Sequence, residues 1–406
     1  MRCFPIFATA GVSVGRLARV TPPAGLRLDV LICASNCCPS AGNPSSSHYF
    51  GRTAKAGLEH ARQQVAASIG CSPGEIFFTS GGTEANNWAL KGAVYASRRA
   101  LQDHFTQSMG GSALAWSSMY VDQLRPHVIT TAVEHPAVLE PLKWLQREQL
   151  CDVSIVPVGA DGVVRVQDIV DELRSQTVMV SVMHANNEIG SVQPLAEISA
   201  AVKQWAYDFG ERGKMGLTSG ILIHSDGCQS LGKIAVNVGD LKVDLMSIAG
   251  HKLYAPKGVG ALYIKGGVAG PAATGSAFLA VDDEQEAQEV AARDNNSQDY
   301  LMQFLHGAGQ ESGLRASTEN VALCVGLGSA CEIAVASPEA ERERERQAAL
   351  VERCGVLTAV LLASRSSNYL RLGALPGASA AWGQCGALLA SMYLLSLHHV
   401  LPDVIE

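Results

Sequence analysis

The sequence predicts an α/β fold built on a mostly parallel sheet, and three observations lead to it. Between Asn43 and Leu327 helical stretches alternate with short apolar runs, which is the pattern of βαβ units. The runs are rich in β-branched and long aliphatic residues. Each ends in turn or polar residues, and open α/β sheets gather their ligands at the C-terminal ends of such strands.

Taken in order, Glu75–Thr79 reads as a strand, and Gly81-Gly82-Thr83-Glu84 then turns into a helix. His127–Thr131, Val153–Pro157, Thr177–Met183, Ile221–His224 and Val243–Ile248 are the further strand candidates. Gln102–Leu124, with Gly110-Gly111 and Ser117-Ser118, reads as an insertion loop. Glu339–Arg346 alternates acid and base, with Glu341 three residues before Arg344, and reads as a solvated helix face.

The chain has 406 residues, 47% hydrophobic and 17% charged, enough for two globular domains with a sizeable core. A net charge of -7 without a Lys/Arg block argues against nucleic acid or an anionic membrane as partner and favours a small-molecule substrate. Eleven cysteines without a regular framework read as reduced thiols of an intracellular protein. The most apolar stretches, such as Gly386–Leu397, are too short and too interrupted to span a bilayer. The first 28 residues carry Arg2, Arg16, Arg19 and Arg27 and no acid, as mitochondrial transit peptides do. Pro22-Pro23 and nearby glycines oppose the amphipathic helix such a peptide needs. A cytoplasmic protein is expected, with the mitochondrion as the alternative.

The candidate chemistry centres on Lys252, which follows an apolar run and precedes a Gly/Pro-rich turn. A lysine placed there can project its amine into a cavity and condense with an aldehyde cofactor. Asp226 stands 26 residues earlier, at the end of another apolar run. A carboxylate in that position costs several kcal/mol unless paired. The pyridinium nitrogen of pyridoxal phosphate (PLP) offers such a partner and keeps the ring an electron sink; a helix cap is the other reading of Asp226. Gly81, Gly82 and Thr83 let backbone and hydroxyl approach an anion at a helix N-terminus, which suits a phosphate. His135 follows the run His127–Thr131, where an imidazole either stacks on a cofactor and moves protons or serves structure alone.

Seven motifs in order and spacing resemble the class V aminotransferase-like cysteine desulfurases and selenocysteine lyases. They are Asn43-Pro-Ser-Ser-Ser-His48, Gly82-Thr-Glu-Ala-Asn-Asn87, Glu134-His-Pro-Ala-Val138, Met183-His-Ala-Asn-Asn-Glu-Ile-Gly190, His224-Ser-Asp226, Gly250-His-Lys252 and Gln310-Glu-Ser-Gly-Leu-Arg315. The resemblance implies a fold-type I PLP-dependent transferase, with a large domain over 43–327 and a smaller domain from both chain ends. Residues 1–42 would be a divergent N-terminal segment, and 328–406 an altered small C-terminal domain. It implies removal of sulfur or selenium from L-cysteine or L-selenocysteine to leave L-alanine, by a homodimer that passes the chalcogen to an acceptor protein. Lys252 would hold PLP, His135 would stack on its ring, Asp226 would pair with its nitrogen and Gln229 would bond its phenolic oxygen. Asn187 would lie beside that oxygen and the substrate carboxylate. Gly82, Thr83 and His251 would bind the phosphate, joined by Thr318 from the other subunit. Lys252 and His135 would be the catalytic pair.

The chain departs from the pattern in several places. Cys33-Ala-Ser-Asn-Cys-Cys-Pro-Ser40 stands where the family has its opening strand motif. Ala249 replaces a phosphate-binding serine of many desulfurases and Ser317 the usual glycine; tolerance of an apolar residue at the first position, with extra residues between Gln204 and Gly220, tilts the reading toward selenocysteine lyases. After Leu327 the chain becomes unlike the family. Gly328-Ser-Ala-Cys331 has the letters of the catalytic-cysteine loop but sits in an apolar helical run, so Cys331 is expected in the core. Cys385 has a more loop-like setting, and Arg371 resembles the substrate-carboxylate arginine faintly. A catalytically impaired paralogue that partners an active desulfurase, or an aminotransferase of the same fold, is the rival reading.

Overall fold

The computed structural model describes residues 42–108, 125–212, 220–269 and 301–336. Among them seven strands form one sheet: β1 (Ile76–Thr79), β2 (His127–Thr131), β3 (Asp152–Val156), β4 (Thr177–Ser181), β5 (Leu222–Asp226), β6 (Leu245–Ala249) and β7 (Gly260–Ile264). Their order is β1-β7-β6-β5-β4-β2-β3. The strands from β3 to β6 run parallel, whereas β7 lies antiparallel to both β6 and β1. β1 therefore points the same way as the parallel strands, and its C-terminal end opens on the same edge of the sheet. The expected α/β class with a mostly parallel seven-stranded sheet holds.

The helices are α1 (Tyr49–Ile69), α2 (Gly82–Ser108), α3 (Pro136–Arg147), α4 (Val166–Asp171), α5 (Leu195–Arg212), α6 (Val238–Leu241) and α7 (Val321–Ala336). Strand side chains alternate between two cores, because successive residues of a strand face opposite sides. Ile223 packs in the layer that holds Leu58 and Val65 of α1, Ile198 of α5 and Val325 of α7. Leu222 packs in the layer that holds Trp88 of α2 and Leu142 of α3. His224 and Asp226 share the parity of Leu222, so their side chains stand on the α2 and α3 side.

Two expectations change. Residues 102–108 are not the start of a loop but the last turns of α2; the rest of that segment, 109–124, lies outside the described residues. β7 was not expected as a strand. Within the expected small domain, residues 328–336 simply continue α7, where the helix comes so close to α1 that a Cβ at Gly328 would stand 2.7 Å from the Ala61 Cα. The Glu339–Arg346 run, Arg371, Cys385 and the arginine-bearing first 28 residues all lie outside the described residues. No helix among the described residues is long and apolar enough to cross a membrane.

Candidate active site

The chemistry-bearing residues converge where the parallel strands end. Asp226 is the last residue of β5, and Lys252 lies in the 3-10 turn Gly250–Leu253 that follows β6 directly. β5 and β6 are neighbours, with Asp226 opposite Ser247. Gly82 opens α2 after β1, and its place is set by contact: a Cβ there would stand 2.6 Å from the Cys228 Sγ and 3.1 Å from the Ala249 Cβ. Only glycine lets the start of α2 sit on the ends of β5 and β6.

Asp226 is buried, and both its oxygens are used. Oδ2 accepts from Asn86 Nδ2 at 2.8 Å and Oδ1 from the Cys228 amide at 3.0 Å. Among the described residues no cationic side chain pairs with it. Beneath it, His224 bridges the neighbouring strands, with Nδ1 2.8 Å from Ser181 Oγ and Nε2 3.1 Å from Ser247 Oγ. Burial holds this imidazole down to about 4, against the pull of the Asp226 charge, so the row is neutral. Lys252 is exposed, and among the described residues its amine makes no hydrogen bond or ion pair.

β4 continues past Ser181 in a divided way. The amides of Val182 and His184 bond to the carbonyls of His224 and Asp226, both at 3.0 Å, which prolongs the ladder to β5. The amide of Met183 between them points the other way and donates to Glu134 Oε1 at 2.7 Å. Glu134, a side chain, thus stands in for the β2 backbone that has already turned away. Thr131 Oγ1 donates to the same oxygen at 2.8 Å, while Oε2 is buried without a partner. Burial, reinforced by the charge of Asp226, pushes this carboxyl up to about 8, although the Met183 and Thr131 bonds pull it down.

His135 caps α3: its Nδ1 accepts from the Ala137 amide at 3.1 Å, which leaves Nε2 as the nitrogen free to exchange a proton. Asn187 is exposed in the loop after β4, whereas Asn186 is consumed by structure, donating to the Val133 carbonyl and accepting from the amides of Glu188 and Ile189. Thr83 is exposed in the first turn of α2. The first intrahelical bond there is Ala85 N to Gly81 O, so the preceding amides have no helical carbonyl. His251 is exposed, and burial together with Lys252 and Lys257 lowers its pKa.

Thr318 stands apart, exposed in the loop between the turn Glu311–Gly313 and α7. Two ion pairs tie this segment to helices α2 and α1. Arg315 Nε reaches Glu84 Oε1 of α2 at 2.8 Å, and Arg62 Nη2 of α1 reaches the buried Glu311 Oε1 at 2.7 Å. Cys331 is fully buried in α7, and burial pushes its thiol up to about 12, against a bond from Ser68.

Three participants were not singled out from the sequence. Asn86 holds Asp226 from α2. Cys228 and Lys233 stand beside Lys252: the charges of both lysines act on the Cys228 thiol, and Lys233 Nζ donates to Gln229 Oε1. Lys233 lies four residues after Gln229, but the tight turn at Gly232, with φ of 78°, that brings them together has no strong sequence signature.

Among the described residues the donor set fits PLP: a buried carboxylate without a cationic partner, an unengaged lysine amine, and a glycine-seated helix N-terminus with free amides. The model of the class-V aminotransferase family matches residues 36–106 and 105–361, and the chain belongs to that family. It is 37% identical over 303 residues to the cysteine desulfurase IscS of Dictyoglomus turgidum, covering 75% of this chain and 59% of the relative. The chain thus spans somewhat over half the length of the curated relatives it matches. Among solved structures, a NifS-like protein superposes with a TM-score of 0.57 at 32% identity, covering 76% of this chain and 67% of the other. A structure of SspA in complex with cysteine gives 0.56 at 29% identity, covering 76% and 69%.

Proposed function

We propose that this chain is a PLP-dependent enzyme that removes selenium or sulfur from L-selenocysteine or L-cysteine to give L-alanine. The observation that carries the reading is Asp226, a buried carboxylate held by Asn86 and Cys228 yet lacking a cationic partner among the described residues, at a strand end next to the strand that presents Lys252. The desulfurase relative and the cysteine-bound SspA structure support the substrate class. PLP, when bound, supplies an electron sink for negative charge at the substrate Cα.

Lys252 is the residue for covalent attachment, and its amine, once free, carries the proton taken from Cα. His135 would hold the cofactor ring by stacking, with Nε2 available for proton exchange. Thr83, His251 and the first amides of α2, made approachable by Gly82, bind the phosphate. Gln229 and Asn187 serve the phenolic oxygen and substrate carboxylate. Thr318 completes the phosphate site from the second subunit of a homodimer. The Cβ–Se or Cβ–S bond breaks, the chalcogen passes to a thiolate, and proton return leaves alanine. Cys331 is unsuited to that thiolate, and Cys385 is the candidate nucleophile. The protein works in the cytoplasm, with the mitochondrion as alternative, and hands the chalcogen to an acceptor protein.

The burial of Cys331 favours one second reading, in which the chain keeps the cofactor site without turnover and partners an active desulfurase. Alanine release by PLP-loaded protein, from selenocysteine and from cysteine with dithiothreitol as thiol acceptor, separates the two. Alanine from either substrate supports the enzyme; none from both supports the partner.

A further inference from the structure

We propose that Lys233 is a positioning residue that fixes the Gln229 amide so that its NH2 group is presented to the cofactor. The inference rests on the PLP reading of the site and deepens it. An amide side chain can turn either end toward a neighbour, but an ammonium donates only. Because Lys233 Nζ donates to Gln229, the atom it meets must be Oε1. Nε2 and both its hydrogens are then left for the other side. The sequence resemblance assigns Gln229 to a phenolic oxygen, and that anionic oxygen needs a donor; without Lys233 the amide could present either end.

The local backbone makes the contact possible. Amides of Ser230 and Leu231 bond back to the Gly227 carbonyl, and those of Lys233 and Ile234 to the Ser230 carbonyl, so two successive turns return the chain onto itself. Gly232 supplies the left-handed residue, with φ of 78°, and a Cβ there would stand 2.6 Å from Leu253 Cδ2, one residue after Lys252. The Lys233 ammonium thereby lies near enough to Lys252 for the charge of one to act on the other. Partial burial and the Lys252 charge both lower its pKa, against the pull of Cys228.

The test measures PLP affinity and the absorption band of bound PLP, not turnover, in wild type and in Lys233→Met, Lys233→Arg, Gln229→Leu, Gln229→Glu and the Lys233→Met/Gln229→Leu double variant. Loss of one hydrogen bond to a charged group predicts PLP binding weakened about tenfold in Lys233→Met, with a displaced band, and recovery in Lys233→Arg. In the Gln229→Leu background Lys233→Met should add nothing. Gln229→Glu keeps a partner for Lys233 and so should fold, yet it has no donor to present and should bind as weakly as Gln229→Leu. Wild-type affinity and band in Lys233→Met, or an equal loss in the Gln229→Leu background, would overturn the role of Lys233 alone. A wild type that takes up no PLP would instead overturn the reading of the site, and this role with it.

Discussion

Asn86 Nδ2 donates to Asp226 Oδ2 at 2.8 Å and ties the first turns of α2 to the end of β5, across 140 residues of sequence. The bond satisfies a buried carboxylate and sets the depth at which α2 presents its N-terminus. Its loss in Asn86→Leu leaves one Asp226 oxygen unpartnered and should cost on the order of 1–3 kcal/mol, read from urea unfolding. Reconstitution with PLP should recover part of that loss, because a ring cation would again compensate Asp226. An unchanged unfolding midpoint would show that the contact does not hold the site.

Glu134 predicts a pH dependence of stability. Its folded pKa, pushed up to about 8, lies above its ordinary value of 4.5. The folded state therefore holds the proton more tightly than the unfolded chain does. The stability this confers is complete below 4.5 and is lost as the pH rises through about 8. Glu134→Gln cannot ionise yet keeps an acceptor for the Met183 amide. In PLP-free protein it should flatten the decline between pH 4.5 and about 8 and be the more stable form at the alkaline end by about a few kcal/mol. Melting curves that run parallel across that range would contradict the assignment.

Ser317 sits at φ of 97°, a backbone region that favours glycine, in a loop where Glu311 and Ser312 are also left-handed, at 47° and 58°. The departure from the family's glycine, visible in the sequence, thus has a conformational cost. Ser317→Gly should stabilise the protein by about 1 kcal/mol and tighten PLP binding, because the loop carries Thr318. A lower unfolding midpoint in Ser317→Gly would mean that the hydroxyl supports the loop more than the backbone strains it.

The sheet was legible where strands are runs of β-branched and long aliphatic residues. His127–Thr131 emerges with the bounds its composition suggests, and Val153–Pro157 and Ile221–His224 shift by a residue or two. β7 escaped because Gly-Ala-Leu-Tyr-Ile begins with glycine and has one β-branched residue, and the reason for that glycine is tertiary. A Cβ at Gly260 would stand 2.5 Å from the Ile248 carbonyl oxygen and 2.7 Å from the Gly81 Cα. In the candidate site, Lys252, Asp226 and His135 stood out in the sequence because each ends or follows an apolar run, where a polar residue needs a reason. Asn86 and Lys233 were not, because a side chain that acts by orienting another leaves no periodicity or spacing to read.

We propose that Lys252 carries PLP beside Asp226. Borohydride reduction of the reconstituted protein followed by peptide mass spectrometry tests it directly. The account predicts one pyridoxyl-modified peptide, containing Lys252, which disappears in Lys252→Ala and forms in much lower yield in Asp226→Ala. Modification of another lysine in the wild type, or an unmodified wild-type chain under saturating PLP, would contradict it.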